Sequence, residues 1–315
     1  MGSKKYLYKS PDEIISILSE RGLIFSQAIR AKRLIRENGY FALKSTSEIF
    51  LTDKLTFRKG IDFEHLYLMY LFDKDFKILL LRQILEIEAK IKAAIGDVIS
   101  TRYGTEERQY LDRLNFNQTN QHIDEVLKKI KRQTKKYRKK HPDISRHIKH
   151  HNGCVPFWIL SKCLTMGVIR DLFNILKPND QDEVAKIVMA NVDIDKPVRK
   201  LKSMIALLVD IRNMCAHDDK VIGYVHHRID IGVFPEQRLL KLKHNVQGDL
   251  LQGRKDMMAV LISIKYLVNK TSYRAFLISI ASLISRLSSK LPGIKCPEIV
   301  KFIGLSNDYI KLISI

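Results

Sequence analysis

The sequence predicts an all-α protein, and three observations lead to this prediction. Apolar residues recur with the three- and four-residue spacing of amphipathic helices along most of the chain. Alternating polar and apolar patterns long enough for a strand are scarce. Residues 62–100 contain no proline and only one glycine, Gly96. A stretch of this length indicates one long helix, or two abutting helices, at the centre of a helical bundle.

The amino-terminal residues predict two short helices. Ser10 followed by Glu13 has the spacing of a capping box, and Gly22 predicts the end of the first helix. A second helix is expected at about residues 26–38, where an Asn-Gly pair ends it. With the connector that follows, these helices predict a small helical amino-terminal subdomain at residues 1–60.

Residues 61–290 are expected to form the main helical core, and residues 291–315 a carboxy-terminal extension. Pro156 is expected to precede an amphipathic helix that buries Trp158, the only tryptophan of the chain. Pro197 is well placed at the start of a later helix, because proline is favoured at the first helical position.

Positive charge is concentrated in one segment of the core, residues 127–151, which we interpret as a basic helical insertion. The chain has 55 lysines and arginines against 34 acidic residues, a formal net charge of +21. Residues 128–151 hold eleven basic residues and a single acid, Asp143, and so contribute about half of that excess. Such density predicts a polyanionic partner, with Tyr137 and interleaved histidines available for base stacking. The candidate nucleic-acid-binding residues are Lys128, Lys129, Lys131, Arg132, Lys135, Lys136, Arg138, Lys139, Lys140, Arg146 and Lys149.

Two other interpretations of the basic segment stay open. One is a solvated pair of basic helices that meet near His141 and Pro142 and bind no partner. The other is a metal site built from the histidines, which is disfavoured because no acidic or thiol side chain keeps a regular ligand spacing with them. We therefore predict neither a metal nor a cofactor.

The sequence carries no membrane or disulfide signal. The best apolar run, residues 275–285, is too short to span a bilayer and contains Ser279 and Ser282. The amino terminus lacks the apolar core of a secretory signal. The four cysteines show no C-x-x-C spacing, so neither a zinc knuckle nor a disulfide framework is indicated. These observations predict a cytoplasmic protein that does not bind membranes.

The segment LVDIRNMCAHDD, residues 208–219, places three polar side chains at the end of an apolar helix. Arg212, Asn213 and His217 follow each other within six residues. A regular helix turns about 100° per residue, so Arg212 and His217 would point about 140° apart. The two can converge if the helix ends near Ala216, or if two chains related by a twofold axis each contribute a pair. From spacing alone, a histidine at a helix end beside a surface arginine is the simpler interpretation.

Arginine and histidine are nevertheless a sufficient set for cleaving RNA without a metal. The ribose 2′-hydroxyl attacks its own phosphodiester if one group removes its proton and another protonates the leaving 5′-oxygen. Histidine titrates near neutrality and serves either role, which is worth roughly 10²–10⁴ in rate. Arginine fits the oxygens of the doubly charged phosphorane. Because DNA lacks the 2′-hydroxyl, the mechanism predicts cleavage of RNA only.

The motif and its surroundings resemble a known family. IRNMCAH resembles the R-N-x-x-A-H form of the R-x(4–6)-H signature of HEPN-type ribonucleases, with Arg212, Asn213 and His217 in the signature positions. The surrounding chain resembles the Abi family of bacterial abortive-infection, phage-defence proteins, usually named for its D and F members. The resembling segments occur in the family's order: SERGLIFS (19–26), FEHLYLMYLFDKDFKILLLRQILEIEAKIKAAI (63–95), PFWILSKCLTMGVIRDLF (156–173) and LVDIRNMCAHDDKV (208–221).

The resemblance implies a HEPN-like helical bundle in which paired motifs form a composite ribonuclease site, commonly in a dimer. It implies Arg212 and His217 as catalytic residues, with Asn213 orienting the imidazole or holding a phosphate oxygen. RNA is then the substrate, and a structured noncoding RNA that guides or regulates the protein is a further partner. The chain has one fitting R-x(4)-H copy, so one protomer carries half a site and a homodimer is expected.

Three functional hypotheses follow. The first is a metal-independent, dimeric endoribonuclease of phage defence, with the basic segment as its RNA-docking surface. The second is a non-catalytic RNA-binding protein that holds a structured noncoding RNA for regulation or defence. The third, a sequence-specific DNA-binding protein built on residues 1–60, has the least support.

Overall fold

The computed structural model of the protein is all-α, as the sequence predicted. The residues it describes form helices joined by turns and three isolated β-bridges, and contain no named strand. The described residues are 8–140, 142, 145–146, 150, 155–190, 194–242, 246–247 and 250–314, with the backbone alone described at 138–140.

The α-helices are named here in chain order, and 3-10 helices lie between several of them. The α-helices of the described residues are α1 (Pro11–Glu20), α2 (Ala28–Asn38), α3 (Tyr40–Lys44), α4 (Phe63–Tyr103), α5 (Glu107–Tyr110), α6 (Ile123–Lys140), α7 (Phe157–Leu160), α8 (Met166–Ile175), α9 (Pro178–Val188), α10 (Pro197–Ala216), α11 (Pro235–Leu239), α12 (Met257–Leu267), α13 (Lys270–Ser288) and α14 (Cys296–Phe302). The 3-10 helices are Ser47–Phe50, Arg113–Asn115, Ser161–Cys163 and Tyr309–Ile313.

The chain groups into two compact units, whose boundary falls within α4, α10 and α13. Unit 1 comprises Met1–Leu80, Met214–Val225 and Arg274–Ile315. Unit 2 comprises Leu81–Asn213 and His226–Tyr273. The division of the chain at residues 60 and 290 stays a prediction.

In unit 1, the helix ends follow local side-chain chemistry. Ser10 and Glu13 form the predicted capping box, with the Glu13 amide 3.3 Å from Ser10 Oγ and the Ser10 amide 2.7 Å from Glu13 Oε2. Gly22 follows α1 with a φ of +90°, a conformation that glycine adopts without steric cost. The second predicted helix is α2, and the connector after it contains α3 and one 3-10 turn.

The long proline-free stretch forms one continuous helix, α4, of 41 residues. Its buried apolar side chains recur at three- and four-residue spacing, which sets one face into a core. In unit 1 these are Phe63, Leu66, Met69, Tyr70, Phe72, Phe76 and Leu80. In unit 2 they are Ile84, Ile87, Ile91, Ala94, Ile95, Val98 and Ile99.

The core of unit 2 is centred on α12. Nine of its eleven residues are buried, so this helix is enclosed on all sides and not amphipathic. Asp256 caps its amino end by accepting a hydrogen bond from the Ala259 amide at 3.1 Å. The helix α6 packs against α8 in the same unit, with Ile123, Val126 and Ile130 turned inward.

The prediction that Trp158 is buried was wrong. The side chain is 49% exposed, because the helix after Pro156 has only four residues before the chain tightens into a 3-10 turn. So short a helix buries one side, and Phe157 and Leu160 occupy it, three residues apart. A new helix, α8, then begins behind the cap Thr165, where one continuous helix had been expected.

Among the described residues, no helix is both long enough and apolar enough to cross a bilayer.

The capping box of α1 gives a stability prediction. Ser10→Ala should lower the local stability of α1 by about 1 kcal/mol, because the amide of Glu13 loses its acceptor. Native-state hydrogen exchange should show the α1 amides exchanging about fivefold faster. Ser16→Ala, in the exposed middle of the same helix, is the control and should leave their exchange unchanged or slower. Equal exchange in both variants would contradict the capping role.

Candidate functional site

The helix α10 carries the polar motif on its last turn. It begins at Pro197, as predicted, and its buried face includes Leu201, Met204, Leu208 and Ile211, each with no exposed surface. This face anchors the helix in its core, so the side chains that follow at its carboxy end start from a fixed backbone.

The helix α10 ends at Ala216, one of the two possibilities that the sequence left open. His217 is the first residue after the helix, and Asp218 takes the left-handed conformation, with a φ of +60°. The amide of Asp219 donates a hydrogen bond to the carbonyl of Met214 at 3.0 Å. These features form a Schellman motif, which satisfies a terminal carbonyl and turns the chain away from the helix axis.

Arg212 and Asn213 are the last residues of unit 2 on this helix. The Arg212 side chain is partly buried, and its Nε atom is inaccessible to solvent without a hydrogen-bond partner among the described residues. A buried donor left unpaired costs about 1–3 kcal/mol, so this nitrogen favours any acceptor that reaches it. Asn213 is exposed.

His217 belongs to unit 1 and is exposed in the turn after α10. The backbone on its carboxy side is fixed to α4 by a buried ionic group. Lys77 Nζ lies 2.6 Å from Asp218 Oδ1 and 3.1 Å from Asp73 Oδ2, and it also donates to the carbonyl of Asp219 at 3.3 Å. Lys74 Nζ approaches Asp218 more loosely, at 3.9 Å.

Asp73 continues this network to the backbone. Its Oδ1 accepts hydrogen bonds from the amides of Val221 and Ile222, at 3.2 and 3.1 Å. Residues 218–222 are therefore held at both ends, through Lys77 at one end and Asp73 at the other. We call Asp73, Lys77 and Asp218 the anchor cluster.

The anchor cluster also sets the electrostatics of this turn. Burial alone would lower the pKa of Lys77, but the hydrogen bond and charge of Asp218 and the charge of Asp73 raise it above its usual value. Lys77 is thus positively charged at neutral pH. Its charge offsets the carboxylate of Asp218, which stands directly after the histidine.

The basic segment lies partly on α6, where its side chains differ in their partners. Lys128, Lys131, Arg132, Lys135 and Lys136 are exposed. Lys129 instead contacts Glu125 Oε1 at 2.8 Å and Asp171 Oδ2 at 3.3 Å. Its charge is therefore largely compensated within the protein.

The remaining members of the predicted basic set are described less fully. Arg146 is exposed. The side chains of Arg138, Lys139 and Lys140 lie outside the described part, as does the whole of Lys149. The histidines at 141, 147 and 151 also lie outside it, whereas His150 is exposed. Within the part of the chain that the structure describes, no three His, Cys, Asp or Glu side chains are grouped in a way that could hold a metal ion.

A family model described as Abi-like protein matches residues 33–223. The chain belongs to the Abi-like protein family. No curated protein and no solved structure matches it. Membership of the family supports a role in abortive infection or phage defence.

The matched range of this Abi-like protein includes the motif, the anchor cluster and the helix α6. Sequence reasoning missed Asp73 and Lys77. The signal that could have found them is a pair of opposite charges four residues apart inside the apolar run YLMYLFDKDFKILLL. Charged residues are rarely buried unless they are paired, so such a pair on a core helix predicts a buried ionic contact.

The thiol of Cys215 provides a test of this packing. Burial raises the pKa of Cys215 to about 12. Because the thiolate is the reactive form, alkylation by iodoacetamide at pH 8 should be at least about 100-fold slower than for the same cysteine in the urea-unfolded chain. Quantitative mass spectrometry of the peptide that contains Cys215 measures both rates. Similar rates in the folded and unfolded protein would show that the end of α10 is open to solvent.

Proposed function

We propose that this Abi-like protein is a metal-independent endoribonuclease of phage defence. The observation that supports this best is the state of the motif at the end of α10. A buried Arg212 nitrogen has no acceptor within the described part of the chain, and an exposed His217 stands in a turn whose neighbouring carboxylate, Asp218, is already paired with Lys77. A cation with unused donor capacity and an accessible imidazole are the two groups that RNA cleavage by the 2′-hydroxyl needs.

The reaction transfers the phosphodiester between two oxygens of the RNA. His217 removes the proton of the 2′-hydroxyl, and the 2′-oxygen forms a bond to the adjacent phosphorus. The bond from phosphorus to the 5′-oxygen breaks, and a second histidine protonates that oxygen as it leaves. The products are a 2′,3′-cyclic phosphate and a 5′-hydroxyl end, with no net change in protons.

Arg212 stabilises the charge that develops on the phosphorane. The guanidinium stays charged at any working pH and presents its donors in a fixed fork that fits two phosphate oxygens. Once the guanidinium turns toward solvent on binding, a phosphate oxygen would also supply the acceptor that Nε has not found among the described residues. Asn213 orients the imidazole or holds another phosphate oxygen.

Two histidines and two arginines come together when two copies of the chain form a homodimer. The chain contains one motif of the R-N-x-x-A-H form, and a twofold axis places the same residues of both copies around one cleft. The dimer and a HEPN-like bundle are part of the proposal.

The exposed side of α6 is proposed as the RNA-docking surface. Between positions 128 and 136 this helix carries five exposed basic residues, which are four lysines and Arg132. Basic side chains of this kind contact phosphates whatever the base sequence, and their binding releases counter-ions from the RNA.

Substitutions of the motif test the catalytic proposal. Arg212→Ala and His217→Ala should each lower the rate of RNA cleavage at least about 100-fold in excess chelator, because each removes a group that acts only in the transition state. Cleavage by the unaltered protein should yield 2′,3′-cyclic phosphate ends, seen by mass spectrometry of the products. A substrate with a single 2′-deoxy nucleotide at the cleaved position should remain intact there.

One control variant and one further measurement sharpen this test. Lys186→Ala changes an exposed lysine of α9 and should leave the rate unchanged. The specific activity should rise with protein concentration in parallel with the dimer fraction measured by sedimentation. Cleavage that persists in the Arg212 or His217 variant would end the catalytic proposal, and salt-sensitive RNA binding with no cleavage would instead support the non-catalytic RNA-binding function.

The docking surface is tested by salt dependence. Replacing Lys131, Arg132, Lys135 and Lys136 with Gln should weaken RNA binding and reduce the slope of log K against log salt by about 0.7 for each lost contact to single-stranded RNA. Lys129→Gln is the matched control on the same helix, and it should change the slope little because Glu125 and Asp171 already neutralise that lysine. An unchanged slope in the fourfold variant would place the RNA elsewhere.

A further inference from the structure

The anchor cluster is unusual in position and composition. Lys77 and Asp73 lie on α4 with only 6% and 3% of their surfaces exposed, among apolar residues of the unit 1 core. Asp218, by contrast, is a surface residue with 57% of its side chain exposed. The lysine therefore reaches from inside the core to the chain segment that follows the motif.

Stability alone does not account for such a cluster. Removing a lysine from water is costly, and a buried ion pair is often no more stabilising than well-packed apolar side chains of the same volume. The cluster instead fixes the orientation of the backbone at residues 218–222, because charged hydrogen bonds have a preferred geometry and apolar contacts do not. The five contacts made by Lys77 and Asp73 all fall on residues 218–222 or within the cluster itself.

The contacts leave His217 with little backbone freedom. On its amino side, the residue continues from α10, and on its carboxy side, Asp218 is tied to Lys77 at 2.6 Å. Asp218 also holds a positive φ, which costs a non-glycine residue free energy unless the surroundings fix it. The ion pair with Lys77 supplies that restraint.

We infer that Lys77 and Asp73 are positioning residues for His217. Through Asp218 and the amides of Val221 and Ile222, they hold the turn that presents the imidazole to the scissile phosphate. The inference rests on the proposed ribonuclease function. Neither residue touches the substrate, and their contribution is to the placement of the histidine.

A charge-balanced double variant separates positioning from stability. Lys77→Met alone leaves the buried carboxylate of Asp73 unpaired and destabilises the protein. Adding Asp73→Asn removes that charge while an amide oxygen still accepts from Val221 and Ile222. The double variant should regain most of the lost melting temperature, yet Asp218 keeps only its looser contact with Lys74, at 3.9 Å. We expect its kcat for RNA cleavage to be roughly 10–100-fold below that of the unaltered protein, with KM within about threefold.

Lys265→Met is the matched control. Lys265 and Glu236 form another largely buried pair at 2.6 Å, in unit 2. The variant should lose melting temperature without loss of kcat. A double variant at positions 73 and 77 that is folded and has the kcat of the unaltered protein would overturn the inference.

A second readout keeps this test separate from that of the proposed function. The imidazole resonances of His217, assigned with His217→Asn, should shift or split in the double variant, and the amides of Val221 and Ile222 should exchange faster. If the unaltered protein cleaves no RNA but these changes appear, the ribonuclease proposal fails and the positioning of His217 stands. Unchanged His217 resonances and amide exchange in the double variant would refute the positioning role whether or not RNA is cut.

Discussion

The contact between Lys77 and Asp218 is the interaction on which the arrangement of the candidate site depends. It joins the long helix α4 to the first turn after α10, within unit 1. The left-handed conformation of Asp218, the Schellman end of α10 and the exposure of His217 all occur at this one junction. A carboxylate that would repel phosphate is thereby converted into a structural contact. Of the two acidic residues after the motif, Asp218 is thus paired within the protein.

Much of the fold could be predicted from the sequence because helix ends depend on nearby residues. The capping box at Ser10, the start of α10 at Pro197 and its end near Ala216 each follow from side chains within a few positions of the helix terminus. The all-α class follows from the same local periodicity. Helix ends and helical periodicity depend on hydrogen bonds between residues three or four positions apart, so both can be predicted from a single sequence.

Other features depend on residues far apart in the chain and could not be predicted in the same way. Trp158 is exposed because its helix ends after one turn, and Lys129 has, besides Glu125 on its own helix, a second carboxylate partner in Asp171, 42 residues away. The contact of Lys77 with Asp218 spans 141 residues. For the candidate site, the sequence indicated which side chains have the needed chemistry. It did not indicate which interactions hold their backbone.

The exposed basic face of α6 has a consequence for how this protein would choose among RNAs. Lysines and Arg132 at that surface attract any polyanion, and contacts to phosphates carry no sequence information. A bacterial cell offers an abundance of ribosomal and transfer RNA, all with the same backbone charge. If the protein is the ribonuclease proposed above, discrimination must reside in a feature other than attraction, such as the shape of the strand that enters the proposed catalytic cleft. The cationic helix would then only shorten the time needed for first encounter.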